Sequence, residues 1–133
     1  MVVLCAEPAA LGESLAKARA VSQQLADSDL LIVPLVAGAG DAVELPAPEL
    51  VRGDEGEVGH LALPQALGNW RDVLSDEREV ALSQDANAAA RGFTLILKKN
   101  GRVGTRRLGL PEWSSLVADV SNRAAAGLDT SNI

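Results

Sequence analysis

The 133 residues of this chain are enough to bury a sizeable core, and we predict a single domain over residues 1–133. The net charge of −6 argues against a nucleic-acid-binding protein, because phosphate neutralisation requires clustered Lys and Arg. A single cysteine excludes an internal disulfide framework, and the longest apolar runs are too short to span a membrane. Aromatic residues make up only 2% of the chain, so Ala, Leu and Val must fill the interior, which favours helices packed on a sheet.

The N-terminal part of the chain predicts a strand, a helix and a second strand. Residues 2–6 form a continuous apolar run, typical of a buried strand, and Pro8 follows its end. Residues 11–26 predict one amphipathic helix, because apolar residues recur there at spacings of three and four: Leu11, Leu15, Ala18, Val21 and Leu25. Residues 30–36 predict a second buried strand, in which Pro34 indicates a strand end or an edge position. This unit favours parallel strands joined by a right-handed crossover.

Residues 37–68 form a long acidic insert that is rich in Gly and Pro. These two residue types interrupt any long element, so we predict an exposed acidic loop with one short helix or strand. Residues 59–63 are the candidate strand. A loop of this length inside a compact domain is unusual, which indicates either a functional segment or a partly mobile one.

The C-terminal part of the chain predicts a helix, a β-hairpin and a second helix. Asn69 is suited to cap the first helix, whose residues include Trp70, Val73, Leu74, Glu77, Val80 and Ala81. Residues 92–109 predict two strands joined at Asn100-Gly101, since both residues can adopt positive φ in a two-residue turn. Residues 111–126 predict the last helix, with a buried stripe that consists of Trp113, Leu116, Val117, Val120 and Ala124.

The order of these elements indicates an α/β fold of the thioredoxin-like class. A hairpin added antiparallel to the first two strands produces a central mixed sheet with helices on both faces. We predict four strands in this sheet, and a fifth is compatible with the pattern. The chain begins directly in a strand, which suggests a domain cut from a longer protein. Residues 128–133 are expected to form a flexible tail.

Two parts of the hairpin region, residues 92–103 and 107–109, resemble the third and fourth strands of thioredoxins, where a tight Asn-Gly turn precedes a strand that ends on glycine. Residues 3–7 are similar to the first central strand of that fold, which lies just before its active site. Where thioredoxins carry Cys-x-x-Cys, this chain has Pro-Ala-Ala-Leu-Gly at residues 8–12, and Phe93 replaces the cis-proline. Dithiol chemistry requires one thiolate to attack and a second thiol to resolve. The resemblance therefore implies no oxidoreductase.

A narrower resemblance involves residues 93–103, Gly109, residues 111–117 and the upstream Trp70. Together they resemble the soluble C-terminal region of the LOW PSII ACCUMULATION family over most of the chain. Members of this family are green-lineage thylakoid proteins with tetratricopeptide repeats and membrane spans, and they are needed for photosystem II assembly. The resemblance implies a chloroplast domain at the stromal face of the thylakoid membrane. It implies a membrane-anchored parent protein, a photosystem II reaction-centre subunit as client, and no cofactor.

Charges are segregated along the sequence. Acidic residues crowd the insert, whereas five basic residues cluster on the predicted hairpin: Lys98, Lys99, Arg102, Arg106 and Arg107. A solvated hairpin tip and a solubilising loop would explain this segregation. The alternative to this default explanation is a basic patch that selects an acidic protein surface or membrane headgroups. Trp113 joins the five basic residues as a candidate protein-binding residue, because tryptophan is enriched at interfaces. Trp113 and Trp70 also lie on predicted buried stripes, which instead indicates core residues.

Three other features allow a chemical interpretation. Cys5 could be a redox-active or metal-binding thiol, but its mid-strand position predicts a small buried hydrophobe. His60 has no second His or Cys nearby, which predicts a loop histidine and not a zinc ligand. Residues 37–41, Ala-Gly-Ala-Gly-Asp, are faintly similar to a dinucleotide-binding loop, but the third glycine and the following helix are missing, which favours a plain turn.

These observations favour a non-enzymatic, thioredoxin-like interaction domain that holds a protein client during the assembly of a membrane complex. The alternative is a thiol redox or peroxidatic enzyme that uses Cys5 with a cysteine supplied in trans. A buried, unreactive Cys5 would argue against that enzyme. A third hypothesis is a structural module that tethers or dimerises a larger protein.

Overall fold

The computed structural model describes residues 1–52 and 61–127, and the predicted tail at residues 128–133 lies outside them. The strands in the described part are β1 (Val2–Ala6), β2 (Ile32–Ala37), β3 (Val43–Glu44), β4 (Phe93–Leu97) and β5 (Val103–Leu108). The helices are α1 (Pro8–Ala20), α2 (Ser22–Asp27), α3 (Pro48–Arg52), α4 (Leu67–Gln84), α5 (Ala88–Arg91) and α6 (Trp113–Ala125).

The strands form one mixed sheet in the order β3-β2-β1-β4-β5. β1 lies parallel to β2, with Val3 opposite Val33, and antiparallel to β4, with Val3 opposite Leu95. β3 and β5 are antiparallel to their neighbours and form the two edges of the sheet. The prediction of an α/β fold with a mixed sheet is therefore confirmed. The described residues contribute five strands to it and not the four of the main prediction.

Helices cover both faces of the sheet. On one face, α1, α2 and α6 pack against Val2, Leu4 and Ala6 of β1. On the other face, α4 and α5 pack against Val3 and Cys5 of the same strand. Because alternate side chains of a strand point to opposite faces, covering both faces buries every residue of β1. This is why residues 2–6 are apolar without interruption.

The helix predicted over residues 11–26 is in fact two helices. α1 begins at Pro8, whose fixed φ and missing N–H suit a first helical turn. It ends before Val21, which adopts φ −120° and ψ 25°, outside helical geometry, and α2 follows directly. Leu15 of α1 and Leu25 of α2 are both buried against the same face of the sheet. The apolar periodicity thus identified the buried side correctly and missed the break.

The acidic insert has regular structure in its described part. β3 pairs with the end of β2, and Leu61 forms an isolated parallel bridge with Ile32. Residues 59 and 60 of the candidate strand lie outside the described residues, and so His60 does too. Pro34 faces this edge, because main-chain groups alternate along a strand and the Ile32 carbonyl accepts the Ala62 amide there at 2.9 Å. The prediction of a strand end or an edge strand is wrong, because β2 lies between β3 and β1 and Pro34 is inside it; proline is tolerated because its missing N–H is on the side where β2 is only partly paired.

Arg78 of α4 holds the turn between β2 and β3. Its Nη2 donates to the Gly38 carbonyl oxygen at 2.6 Å and its Nη1 to the Ala42 carbonyl oxygen at 3.0 Å. The side of α4 that is buried consists of Leu74, Arg78 and Ala81. Val73 and Val80, which are also apolar residues of this helix, are 55% and 49% exposed. The buried arginine thus decides which side of α4 faces the sheet.

The first residues of α4 and α6 both differ from the predicted ones. α4 begins at Leu67, and Ala66 precedes it with a left-handed φ of 53°. The predicted cap at Asn69 is wrong, because the Asn69 amide already donates to the Ala66 carbonyl oxygen at 2.9 Å inside the first turn. α6 begins at Trp113, two residues later than predicted. The Glu112 carboxylate caps it by accepting the Ser114 and Ser115 amides.

Candidate protein-binding surface

The turn between β4 and β5 carries three of the five basic residues. The Gly101 amide donates to the Lys98 carbonyl oxygen at 2.9 Å, and the Lys98 amide donates to the Arg102 carbonyl oxygen at 2.9 Å. Gly101 has φ 85°, but Asn100 does not adopt positive φ, so the predicted two-residue turn is wrong. Instead, a three-residue loop places Lys99 and Asn100 in its centre. The Asn100 side chain stabilises this loop, because its Oδ1 accepts the Arg102 amide at 3.0 Å.

Two of the five basic residues have acidic partners within the chain. Lys99 Nζ lies 2.7 Å from Asp29 Oδ2, and both side chains are largely exposed, so this pair contributes little stability. Arg106 Nε donates to Glu77 Oε2 at 2.8 Å and to Glu77 Oε1 at 3.0 Å. The hydrogen bond from Arg106 to Glu77 raises the pKa of Arg106. This second pair ties the edge strand β5 to α4.

The other three basic residues, Lys98, Arg102 and Arg107, are exposed. Within residues 1–52 and 61–127 they make no ion pair. Asp41, in the turn before β3, and Glu44, on β3, are exposed at the opposite edge of the sheet, whereas Glu49 lies on α3, which packs against α1. Asp54, Glu55 and Glu57 lie outside the described residues. Asp41 and Glu44 therefore lie near one edge of the sheet, and the basic residues of the hairpin lie at the other edge.

Trp113 does not lie on the surface with the basic residues. It is only 2% exposed, at the start of α6. Its indole Nε1 donates to the Ser14 carbonyl oxygen at 2.9 Å and lies 3.2 Å from Ser14 Oγ. The ring thereby joins α6 to α1 inside the core, as the buried-stripe interpretation predicted. Trp70 is half-buried against the α4 side of the sheet.

Cys5 lies in the middle of the central strand and is 1% exposed. Burial raises the pKa of its thiol to about 11, although the nearby Arg78 charge acts in the opposite direction. The thiolate is the reactive form, so Cys5 is poorly suited to redox or nucleophilic chemistry at neutral pH. Residues 37–41, the faint dinucleotide-loop match, belong to the turn that Arg78 holds, where the Gly38 amide donates to the Ala42 carbonyl oxygen at 2.8 Å.

A groove of about 140 Å³ lies between α4 and the edge strand β5. Its lining includes Val80 and Ala81 of α4, Phe93 of β4, and Arg106 and Leu108 of β5. Leu108 is 44% exposed, so the groove presents apolar surface to solvent. This groove was not predicted, because Val80 was identified only as a residue of the predicted helix and Leu108 was given no role. A signal was present: a leucine two positions after Arg106 must share its face of the strand.

Among residues 1–52 and 61–127, no helix combines the length and apolar character that a membrane crossing requires. In the same residues, no group of three or more His, Cys, Asp or Glu side chains is arranged to hold a metal ion. No protein-family model, no curated protein and no solved structure matches this chain.

Proposed function

We propose that this chain is a non-catalytic, thioredoxin-like interaction domain that binds a protein client through the basic side chains of its β4–β5 hairpin. The main support is that three of these side chains are exposed and unpaired among the described residues. Lys98, Arg102 and Arg107 are exposed and, within the described residues, make no ion pair. Exposed cations of this kind attract acidic protein surfaces and orient them during encounter.

Strand order and helix placement support the thioredoxin-like part of the proposal. A strand–helix–strand unit is followed by a hairpin and a helix, and β1 lies between its parallel neighbour β2 and its antiparallel neighbour β4. α1 and α6 share one face, and α4 covers the other. β3 adds a strand at the outer edge of β2.

The number and position of cysteines support the proposal that the domain is non-catalytic. Thioredoxins place their cysteine pair at the start of the helix after the first strand, and here that start is Pro8-Ala9-Ala10. The one thiol of the chain, Cys5, points into the α4 side of the core from the strand itself. A cysteine supplied in trans would have to reach a buried sulfur with a raised pKa.

We further propose that the client is a reaction-centre subunit of photosystem II and that the domain acts at the stromal face of the thylakoid membrane in the chloroplast. The support is the sequence resemblance of residues 93–103, Gly109, residues 111–117 and Trp70 to the LOW PSII ACCUMULATION family. An assembly factor of this kind needs a surface that holds a subunit reversibly. Exposed, salt-sensitive charge contacts suit such transient binding.

The test measures binding of the domain to purified photosystem II reaction-centre subunits in detergent, at low and high ionic strength. The variant carries Lys98→Gln, Arg102→Gln and Arg107→Gln together. The control carries Lys17→Gln, Arg71→Gln and Arg123→Gln, which remove the same charge from exposed positions elsewhere. We expect about tenfold weaker binding for the hairpin variant at low salt and near-normal binding for the control. Equal affinities of the two variants, or no binding by the unmodified domain, would contradict the proposal.

A further inference from the structure

We propose that the outer edge of β5 is a strand-addition site for an extended peptide that alternates apolar and acidic residues, with the apolar side chains entering the groove beside α4. This inference rests on the proposed function, because it specifies how the hairpin would hold a client segment. In strand addition, a peptide pairs its main chain with the exposed edge of a sheet, and side-chain pockets select its sequence.

Two hydrogen bonds next to the strands show which residues of β5 point their N–H and C=O groups towards β4 and which point them outwards. The Gly109 amide donates to the Gly92 carbonyl oxygen at 2.8 Å, and the Leu97 amide donates to the Met1 carbonyl oxygen at 2.8 Å. In an antiparallel pair, hydrogen-bonded and non-hydrogen-bonded residues alternate. The main-chain groups of Thr105 and Arg107 therefore face β4, opposite Ile96 and Thr94 respectively.

The same alternation points the main-chain groups of Arg106 and Leu108 away from the sheet. Among the described residues, no strand pairs with that edge, because β5 ends the strand order. Two outward-facing residues thus offer N–H and C=O groups to an added strand. Such an unpaired row of donors and acceptors is a template for another extended chain.

The groove explains why the added strand should carry apolar residues on one face. Arg106 and Leu108 lie opposite Leu95 and Phe93, which pack on the α4 side of the sheet. Their side chains therefore share that face and line the groove together with Val80. Val80 and Leu108 are 49% and 44% exposed, so an apolar side chain placed there would remove both from water.

The opposite face explains why the alternate residues should be acidic. Arg107 lies opposite Thr94, which itself lies opposite Leu4 on the α1 side of the sheet. Arg107 is exposed, and it makes no ion pair within the described residues. An acidic side chain on the added strand would lie beside it, and opposite charges on neighbouring strands stabilise their pairing.

The charges also argue against a second copy of this chain as the occupant. Antiparallel pairing of two β5 edges would bring Arg106 and Arg107 close to the same residues of the other copy. Like charges on facing strands destabilise pairing, and cations on an edge strand are a common protection against self-association. An acidic extended peptide would instead place opposite charges next to these arginines. Charge complementarity therefore selects a peptide partner.

The test uses two synthetic peptides of equal composition, Ac-Glu-Val-Glu-Val-Glu-Val-Glu-NH2 and Ac-Glu-Glu-Val-Val-Val-Glu-Glu-NH2. We expect the alternating peptide to bind about tenfold more tightly, which corresponds to about 1.4 kcal/mol. We also expect the alternating peptide to slow amide hydrogen exchange at Arg106 and Leu108 more than at Thr105 and Arg107, whose amides already bond to β4. Equal binding of the two peptides, or unchanged exchange at Arg106 and Leu108, would overturn the inference.

A pair of variants provides a second readout. Leu108→Pro removes an outward N–H without removing a bond to β4, whereas Leu108→Thr keeps that N–H and shortens the apolar lining. We expect Leu108→Pro to abolish the preference for the alternating peptide and Leu108→Thr to weaken it by a smaller factor. If Leu108→Pro does not fold, the exchange measurement on the unmodified chain decides. Sedimentation that shows a dimer protecting these amides without peptide would overturn the inference in favour of self-pairing.

The outcomes separate this inference from the proposed function. If both peptides bind equally and the combined Lys98, Arg102 and Arg107 variant loses both, a charged client surface remains and strand addition is excluded. If the alternating peptide binds as expected but the reaction-centre subunits do not bind, the edge is a peptide site and the proposed client is wrong.

Discussion

The guanidinium of Arg78 lies 2.6 Å from the carbonyl oxygen of Gly38, so a side chain of α4 reaches across the sheet edge to the end of β2. A second bond from the same group to the Ala42 carbonyl oxygen closes the turn into β3. Arg78 is only 6% exposed, and its Nε has no hydrogen-bond partner among the described residues. The side chain therefore contributes through two charged hydrogen bonds and loses part of that benefit through desolvation.

We expect Arg78→Met to lower the free energy of unfolding by about 3 kcal/mol, measured by urea denaturation. Methionine keeps much of the apolar volume, but it leaves the Gly38 and Ala42 carbonyl oxygens without their donor. Arg71→Met on the exposed part of the same helix is the control, and its effect should stay within about 0.5 kcal/mol. An Arg78→Met protein as stable as the control would show that desolvation cancels these bonds.

Gly92 is the glycine whose substitution should be most damaging among those described. It has φ 86°, and an added Cβ would lie 2.7 Å from Ala6 Cβ and 3.0 Å from the Cys5 carbonyl oxygen. We expect Gly92→Ala to destabilise the protein by about 3 kcal/mol, through a strained backbone and overpacking against the central strand. The measurement is the midpoint of thermal or urea unfolding.

Gly68→Ala is the matched control for Gly92→Ala. Gly68 lies in the first turn of α4, with no atom within 4 Å of an added Cβ. Alanine has the higher helix propensity, so this variant should be stabilised by up to about 1 kcal/mol. Opposite signs for the two glycine substitutions are expected. A loss of stability of similar size in both would contradict the close packing around Gly92.

Cys5 should be unreactive in the folded protein and should make stability depend on alkaline pH. Burial raises the pKa of this thiol from 9.0 to about 11, so the fold favours the neutral thiol. The contribution of the neutral thiol to the free energy of unfolding is fully present below pH 9, the unfolded pKa, and is lost as the pH rises towards 11. At pH 11 the loss amounts to about 2 kcal/mol. Unfolding of the unmodified protein and of Cys5→Ala at several pH values should show this difference in slope.

Labelling of Cys5 with iodoacetamide at neutral pH checks the same property independently. We expect a rate far below that of a free thiol, and full labelling only in denaturant. Rapid labelling of the native protein at pH 7 would contradict the buried position. It would also restore the redox alternative that uses Cys5 with a cysteine supplied in trans.

Elements whose signal is local were predicted well. The apolar runs located β1 and the centres of β2 and β4. Of the five residues predicted on the buried stripe of α6, Trp113, Leu116 and Val120 are buried, whereas Val117 is partly buried and Ala124 is exposed. The α/β order also followed from these runs. The errors have two origins. The predicted two-residue turn failed locally, because Asn100 does not adopt positive φ and its side chain instead accepts the Arg102 amide. The orientation of α4 was not predicted, because it involves bonds from Arg78 to Gly38 and Ala42, which are distant in the sequence.

The candidate surface was predicted only in part, for the same reason. The basic residues of the hairpin were visible as a cluster in the sequence. Their division into paired and unpaired cations depends on Glu77 and Asp29, which are far from them along the chain. The periodicity of α6 indicated a buried Trp113, and only the structure shows that its indole is held there by donating to Ser14 on α1.

The sequence by itself determined the apolar strands, the succession of strands and helices along the chain, the separation of basic and acidic segments, and the lack of a cysteine pair after β1. These properties depend on neighbouring residues, whose spacing sets local backbone geometry and burial. Only the tertiary structure decided that β5 is an edge strand and that Arg106 and Leu108 share a groove with Val80. These depend on strand order and helix rotation, which long-range packing and hydrogen bonds select among arrangements that are locally equivalent.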